Sequence, residues 1–270
     1  MKAPVNTIVV KLGGNVLTDL SATAAIADDI ATVIAQSGAV ILVHGGGNLI
    51  DEHLKALGIT LQKKQGLRVT DDQTLKAVQE ILDFVNGDLV GRFTIDGLCI
   101  QGFNSTSGLL QAKQALLNGA DGTQFDLGHV GEITGVNVEA LKESLAQGKT
   151  PLVAPLAVGA GEKLFNINAD EAASAIASAL GADSLIFMSD VPGVLHKDGS
   201  KGSLPVISQI DFDQLVADGT VHSGMIPKLT KAFQALNTGV ASVQIIDGRE
   251  PGSLLKALSQ PGINGTVVAA

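Results

Sequence analysis

Apolar runs just long enough for a strand alternate along this chain with helix-length amphipathic segments. That alternation is the sequence signature of a parallel sheet covered by helices on both faces. Thr7–Leu12 (TIVVKL) reads as a buried strand broken by Gly13-Gly14, and residues 39–43 as a second strand ended by His44-Gly45-Gly46-Gly47. Ser21 is placed to cap the helix between them, which stops near Gly38. A helix over 48–58, a short hairpin over 59–69 and a long helix capped by Asp71 follow. Further strands fall at 98–102, 131–136, 150–158, 164–168, 184–188 and 242–246, the last of these closing the fold. Helices fall at 138–147, from Ala169 to Leu180, and at 224–239, where Pro227 fits the first turn. The stop at Gly181 marks a boundary between two lobes, 1–181 and 182–270.

Composition narrows the classes. Of 270 residues 45% are hydrophobic, with eight Phe and no Trp or Tyr, so a large core must be built from Val, Ile, Leu and Ala. Net charge is −9 and charged residues make up 17%, which argues against an electrostatically driven nucleic-acid binder and against disorder. The one cysteine, Cys99, lies in the apolar run LCI and reads as a core residue, leaving no disulfide scaffold. The opening residues lack a signal-peptide pattern, and no apolar run reaches membrane-spanning length. The expectation is a cytoplasmic protein with neither a membrane nor a nucleic-acid partner.

Thirty-two glycines are more than a chain of this length ordinarily carries. Several stand just past the carboxyl end of a strand, where a missing Cβ lets backbone N–H groups approach an anion and a following helix adds its positive end. Neither GxxxxGK[ST] nor a strand followed by GxGxxG occurs, so a phosphate cradle here would be of another type. Lys11 is the informative charge, an ammonium at the end of an apolar strand beside Gly13-Gly14. Lys228 sits in a helix start distorted by Gly224 and Pro227. Asp170, heading an Ala-rich helix, is adequately explained as a cap. Asn166 and Asn168 alternate along one strand face, which suits ligand hydrogen bonds. Two lysines held by one carboxylate would meet the needs of phosphoryl transfer, which asks for positioning and cations rather than covalent help. No nucleophile–base set competes, and the five histidines show no metal-ligand spacing.

Taken in order, Lys11-Leu12-Gly13-Gly14, His44 to Gly47, Gly66 to Thr70, Asn166 to Asp170, Ser189 to Val194 and Gly224 to Lys228 resemble the motifs of the amino acid kinase family. GLRVT, NINAD and the run from Asp126 to Glu132 point to its acetylglutamate branch. The resemblance implies a three-layer αβα fold around a mainly parallel sheet. It also implies ATP-dependent phosphorylation of the γ-carboxylate of N-acetyl-L-glutamate on the route to arginine. In family terms Lys11 and Lys228 stabilise the transition state and Asp170 orients them. Gly46, Gly47, Arg68, Asn166 and Asn168 hold the amino-acid substrate, and Gly13 and Gly14 donate to the transferred phosphoryl. The nucleotide lies against Asp190, Val191, Pro192, Gly193, Val194 and Leu195 and against Thr220, Val221 and His222. Mg2+ rides on the phosphates. The N-terminal lobe binds acetylglutamate and dimerises, and the C-terminal lobe binds ATP.

The run from Phe103 to Gly108 (FNSTSG) departs from the family's glycine-and-aspartate loop. Arginine-inhibited members carry a helix ahead of the lysine strand. Only ten residues precede Lys11, so the expectation is a homodimer without tight arginine inhibition. A sibling kinase acting on a protected aminoadipate or on glutamate, and a non-catalytic amino-acid-sensing domain of the same fold, are the other readings.

Overall fold

The computed structural model describes residues 6–64, 66–118, 124–197, 202–222 and 224–269. Its first part holds Thr7–Leu12 (β1), Leu20–Ala35 (α1), Ala39–His44 (β2), Gly47–Ala56 (α2), Lys63–Lys64 (β3), Leu67–Arg68 (β4), Asp72–Ile95 (α3) and Ile100–Phe103 (β5). Leu110–Asn118 (β6), Gln124–Val136 (β7), Val138–Ala146 (α4), Thr150–Val153 (β8), Leu156–Val158 (β9), Leu164–Asn166 (β10) and Ala169–Leu180 (α5) come next. Ser184–Ser189 (β11), Val206–Ile207 (β12), Gln209–Ala217 (α6), Met225–Asn237 (α7), Ser242–Asp247 (β13), Ser253–Ser259 (α8) and Gly265–Val268 (β14) complete it.

Eight strands form one sheet in the order β12-β14-β13-β11-β1-β2-β8-β5, and every neighbouring pair is parallel except β13 with β14. Period-two burial explains why it is covered on both faces. In β1 and β2, Val9, Ile41 and Val43 enter one core together with Ala172, Ala173 and Ile176 of α5. Ile8, Val10, Leu12, Val40 and Leu42 enter the opposite core, with Ile26 and Ile30 of α1 and Val85 and Leu89 of α3. The result is the three-layer αβα arrangement, and β1 lies near its middle.

The sequence reading changes at several points, among them the unread α6 and the division of the 150–158 strand into β8 and β9. Asp19, not Ser21, caps α1, because its carboxylate accepts from the backbone N–H groups of Ser21 and Ala22 and leaves Ser21 inside the first turn. Cys99 is exposed, since Leu98 takes the buried position just before β5. The strand over 242–246 is not the last: α8 and the antiparallel β14 follow it. Residues 103–130, left without strands in that reading, contain β6 and the first half of β7, which join β9 and β10 in a small sheet that closes on itself. The hairpin over 59–69 is present as β3 and β4, with Gln65 outside the described residues. Among the described residues no helix is long and apolar enough to cross a membrane.

Candidate active site

Lys11 shares its side of β1 with Val9, and that side is covered by α5. Strand parity therefore aims the ammonium at the first turn of α5, where Asp170 waits with Oδ1 3.0 Å from Lys11 Nζ. Lys228 arrives from the first turn of α7 and places its Nζ 3.2 and 3.1 Å from Asp170 Oδ1 and Oδ2. The same ammonium stands 5.2 Å from the ring centre of Phe187, the residue opposite Lys11 in the β1–β11 pairing. Both Asp170 and Lys228 are buried.

Burial by itself would raise the Asp170 pKa, but the charges and hydrogen bonds of Lys11 and Lys228 outweigh it and hold the carboxyl at about 2. Lys228 is pushed down, first by burial and then by repulsion from Lys11, against the pull of Asp170 and Asp190. Two ammonium groups share the one carboxylate they touch, a local surplus of positive charge that the weaker attraction of Asp190 only partly offsets. In a site that excludes water, that surplus favours an anion.

The glycines make room for it. A Cβ on Gly13 would lie 2.6 Å from Lys11 Nζ and 3.0 Å from the Met188 carbonyl oxygen. Gly14 has φ +61°, and a Cβ there would press on the Asp190 carboxyl at 3.1–3.3 Å. The α5 cap is Asn168, whose Oδ1 accepts from the N–H groups of Asp170 and Glu171 at 2.8 and 3.2 Å. Asp170 is thereby relieved of the capping role the sequence offered it, and its carboxylate is given wholly to the lysines. Asn166 donates through Nδ2 to Thr70 Oγ1 at 3.2 Å.

A cavity of about 420 Å3 collects Lys11, Gly13, Gly14, Gly46, Gly47, Arg68, Asn166, Asn168 and Asp170 along its wall. Arg68, with 9% of its side chain exposed, donates from Nη2 to the Gly47 carbonyl at 3.2 Å and pairs with Asp51. Its Nε is buried and without a partner, one donor left for an incoming acceptor. Asp51 also takes Lys63 Nζ at 2.8 Å. Burial would raise the Asp51 pKa, yet the two cations lower it. Asp51 and the cavity-lining Lys63 were not singled out from the sequence, because α2 and β3 meet only in three dimensions.

The remaining candidates lie outside this cavity's wall. Asp190 stands against Gly14 and acts electrostatically on Lys228. Beyond it, the turn through Val191, Pro192 and Gly193 is pinned where the buried Val194 donates its N–H to Thr266 Oγ1 at 2.9 Å, and Leu195 bridges to Ser203. Thr220 donates its N–H and hydroxyl to Asp218 at 3.0 and 2.6 Å, Val221 is buried, and the His222 carbonyl accepts from Met225 at the start of α7. A second hollow, lined by His196, Lys197, Leu204 and Asp218 among others, lies beside residues that follow or precede these segments in the chain. The FNSTSG loop is tied to α3, where Asp83 accepts from the N–H and hydroxyl of Ser105 at 3.0 and 2.5 Å.

Known proteins share both sequence and fold with this chain. The profile of the amino acid kinase family matches residues 6–247. The chain is 37% identical over 268 residues to the acetylglutamate kinase of Nitrosospira multiformis, covering 98% of this chain and 90% of that protein. It is 39% identical over 267 residues to the acetylglutamate kinase of Thiobacillus denitrificans, covering 97% and 90%. Among solved structures, N-acetylglutamate synthase from Neisseria gonorrhoeae, complexed with coenzyme A and N-acetyl-glutamate, matches with a TM-score of 0.85 at 26% identity. That match takes in 98% of this chain but only 59% of the synthase. Carbamate kinase from Giardia lamblia bound to AMP-PNP has the same fold, with a TM-score of 0.65 at 14% identity over 98% of each chain. From its N-terminal lysine strand to β13, the chain belongs to the amino acid kinase family.

Proposed function

We propose that this chain transfers the γ-phosphoryl group of ATP to the γ-carboxylate of N-acetyl-L-glutamate, giving N-acetyl-L-glutamyl 5-phosphate and ADP in arginine biosynthesis. The observation that carries the reading is the pair of ammonium groups, Lys11 and Lys228, held on the one carboxylate of Asp170, with Lys11 and Asp170 in the cavity wall and Lys228 behind Asp170. The kinase relatives agree with it.

A carboxylate oxygen of the substrate attacks the γ-phosphorus, and the bond to the β,γ-bridging oxygen breaks. The nucleophile is already ionised, so no base has to take a proton. Asp170, with its carboxyl held near 2, is unsuited to that task and suited to aligning cations. Lys11 and Lys228 then offset the charge spread over the moving phosphoryl oxygens, and the N–H groups of Gly13 and Gly14 add to this. Arg68 takes the α-carboxylate through its unpartnered Nε edge. Gly46, Gly47, Asn166 and Asn168 complete the amino-acid pocket. ATP lies toward residues 190–195 and 220–222, the side on which Asp190 stands against Gly14. Any Mg2+ accompanying ATP would be carried mainly by the phosphates, since Asp170 is committed to two ammonium groups and no carboxylate cluster stands among the described residues.

In this reading residues 1–181 bind the amino acid and residues 182–270 the nucleotide. Two copies pair in the cytoplasm through the N-terminal part, where β5 is an open sheet edge and α3 exposes Phe84 and Ile95. Coupled ADP release with N-acetylglutamate, glutamate and N-acetylaminoadipate tests the substrate. A clear preference for the first is expected, and equal or better turnover of either other acid refutes it.

A further inference from the structure

Leu12 stands opposite His44 in the β1–β2 pairing, so His44 falls on the α3 side of the sheet, away from the face that carries Lys11. The imidazole is completely buried. Asn86 of α3, also buried, brings Nδ2 to 3.1 Å from His44 Nε2 and 3.0 Å from the Leu152 carbonyl oxygen. Reversing that amide would set its oxygen against a carbonyl oxygen, with no proton between them. The NH2 group therefore faces both, and because it only donates, His44 Nε2 must accept. The ring proton is left on Nδ1, which donates to the Gly45 carbonyl at 2.8 Å. Burial pushes the imidazole down to about 4, against the Gly45 carbonyl and the charge of Asp83, one turn before Asn86 on α3. Gly102 of β5 closes the network from behind, since a Cβ there would sit 2.5 Å from Asn86 Oδ1.

The Gly45–Gly46 peptide is trans, so its N–H points opposite to its carbonyl. Anchoring the Gly45 oxygen to the ring turns the Gly46 N–H away from it, and Gly45, Gly46 and Gly47 all line the cavity. We propose that His44 and Asn86 are positioning residues: the neutral imidazole, its tautomer set by the Asn86 amide, fixes the Gly45–Gly46 peptide so that the Gly46 N–H is presented to an anionic oxygen of the substrate. A protonated ring could not serve, because its Nε2–H would oppose the amide N–H. The identity of that anion rests on the kinase reading; the hydrogen-bond network does not.

Nitrogen-15 NMR of the full chain labelled at histidine tests the network directly. The expected signals are those of a neutral ring protonated on Nδ1, unchanged between pH 7 and 5; an Nε2–H ring, or titration near 6.5, overturns the proposal. For the catalytic part, His44→Phe and Asn86→Leu should each lower kcat on N-acetylglutamate about 10–100-fold per folded molecule, with KM for ATP within about twofold. The double variant should be no slower than the slower single one. His44→Asn, whose amide N–H falls near the position of Nδ1–H, should recover most of the loss. Wild-type kcat in His44→Phe with only a lowered Tm, or additive losses in the double variant, overturns the positioning role. Absence of wild-type turnover on N-acetylglutamate would instead count against the kinase reading, with the NMR result still deciding the network.

Discussion

β1 and β2 are parallel neighbours that both run out into glycines over one cavity, yet they bring opposite chemistry to it. β1 delivers a cation, Lys11, held by Asp170 on the α5 side. β2 delivers an uncharged ring on the α3 side, which grips the backbone of its own glycine loop. One residue of strand parity separates the two outcomes, for Lys11 pairs with Val43 and His44 with Leu12. The two ends are joined where the Gly45 N–H donates to the Leu12 carbonyl at 3.0 Å. A site of this kind places charge on one loop and removes it from the next, so that the cations are not diluted by a second, misdirected one.

The largest effect should come from breaking the charged side. Asp170→Asn leaves two buried ammonium groups facing each other, and kcat is expected to fall at least about 1000-fold, or ~4 kcal/mol of barrier. Urea unfolding of the same variant should show a loss of about 3–5 kcal/mol, as for a buried ion pair stripped of one partner. Unaltered turnover would mean that the trio is structural. Next in size, Lys11→Ala and Lys228→Ala should each reduce kcat about 100–1000-fold while KM moves by less than about threefold, since the contacts strengthen in the transition state. A change confined to KM would return either lysine to a binding role.

The two loops should also part company on acidification. His44 is held at about 4 in the native state, against an ordinary value of 6.5, so the unfolded chain binds the extra proton first. Stability should therefore fall by about 3 kcal/mol as pH drops from 6.5 to 4. The Asp170 contribution has the other window: present above about 4, it is lost as pH falls towards 2. Urea titrations from pH 7 to 3 would separate them, and His44→Phe should flatten only the upper part. The smallest effect is expected at Arg68 in the cavity wall. Arg68→Gln removes a charged donor worth about 1.5–3 kcal/mol and should raise KM for the amino-acid substrate about 10–100-fold with kcat little changed.

Much of the charged side was legible in the sequence, because a lysine closing an apolar strand is conspicuous and the glycines beside it have few other uses. The neutral side was only half legible. His44 stood in a visible motif, but Asn86 lies inside a long helix where nothing local distinguishes a buried amide from an exposed one. Asn168 could have been recognised as a cap, since Ala169, Asp170 and Glu171 open a helix directly after it. β6 is not legible in the sequence because its pairing with β7 shifts register twice and its apolar residues do not alternate cleanly. β14 is four residues long and makes sense only once β13 is there to receive it.

The central place of β1 also bears on how the chain comes off the ribosome. β2 follows β1 closely in the chain and pairs with one of its edges, but the neighbour on its other edge is β11. One long edge of the lysine strand therefore waits unpaired while residues 45–183 are added, roughly 7–30 s at ordinary rates of synthesis. For that interval the nascent chain carries an apolar, hydrogen-bond-hungry edge, and expression yield should respond to chaperone supply more strongly than the stability of the finished fold would suggest.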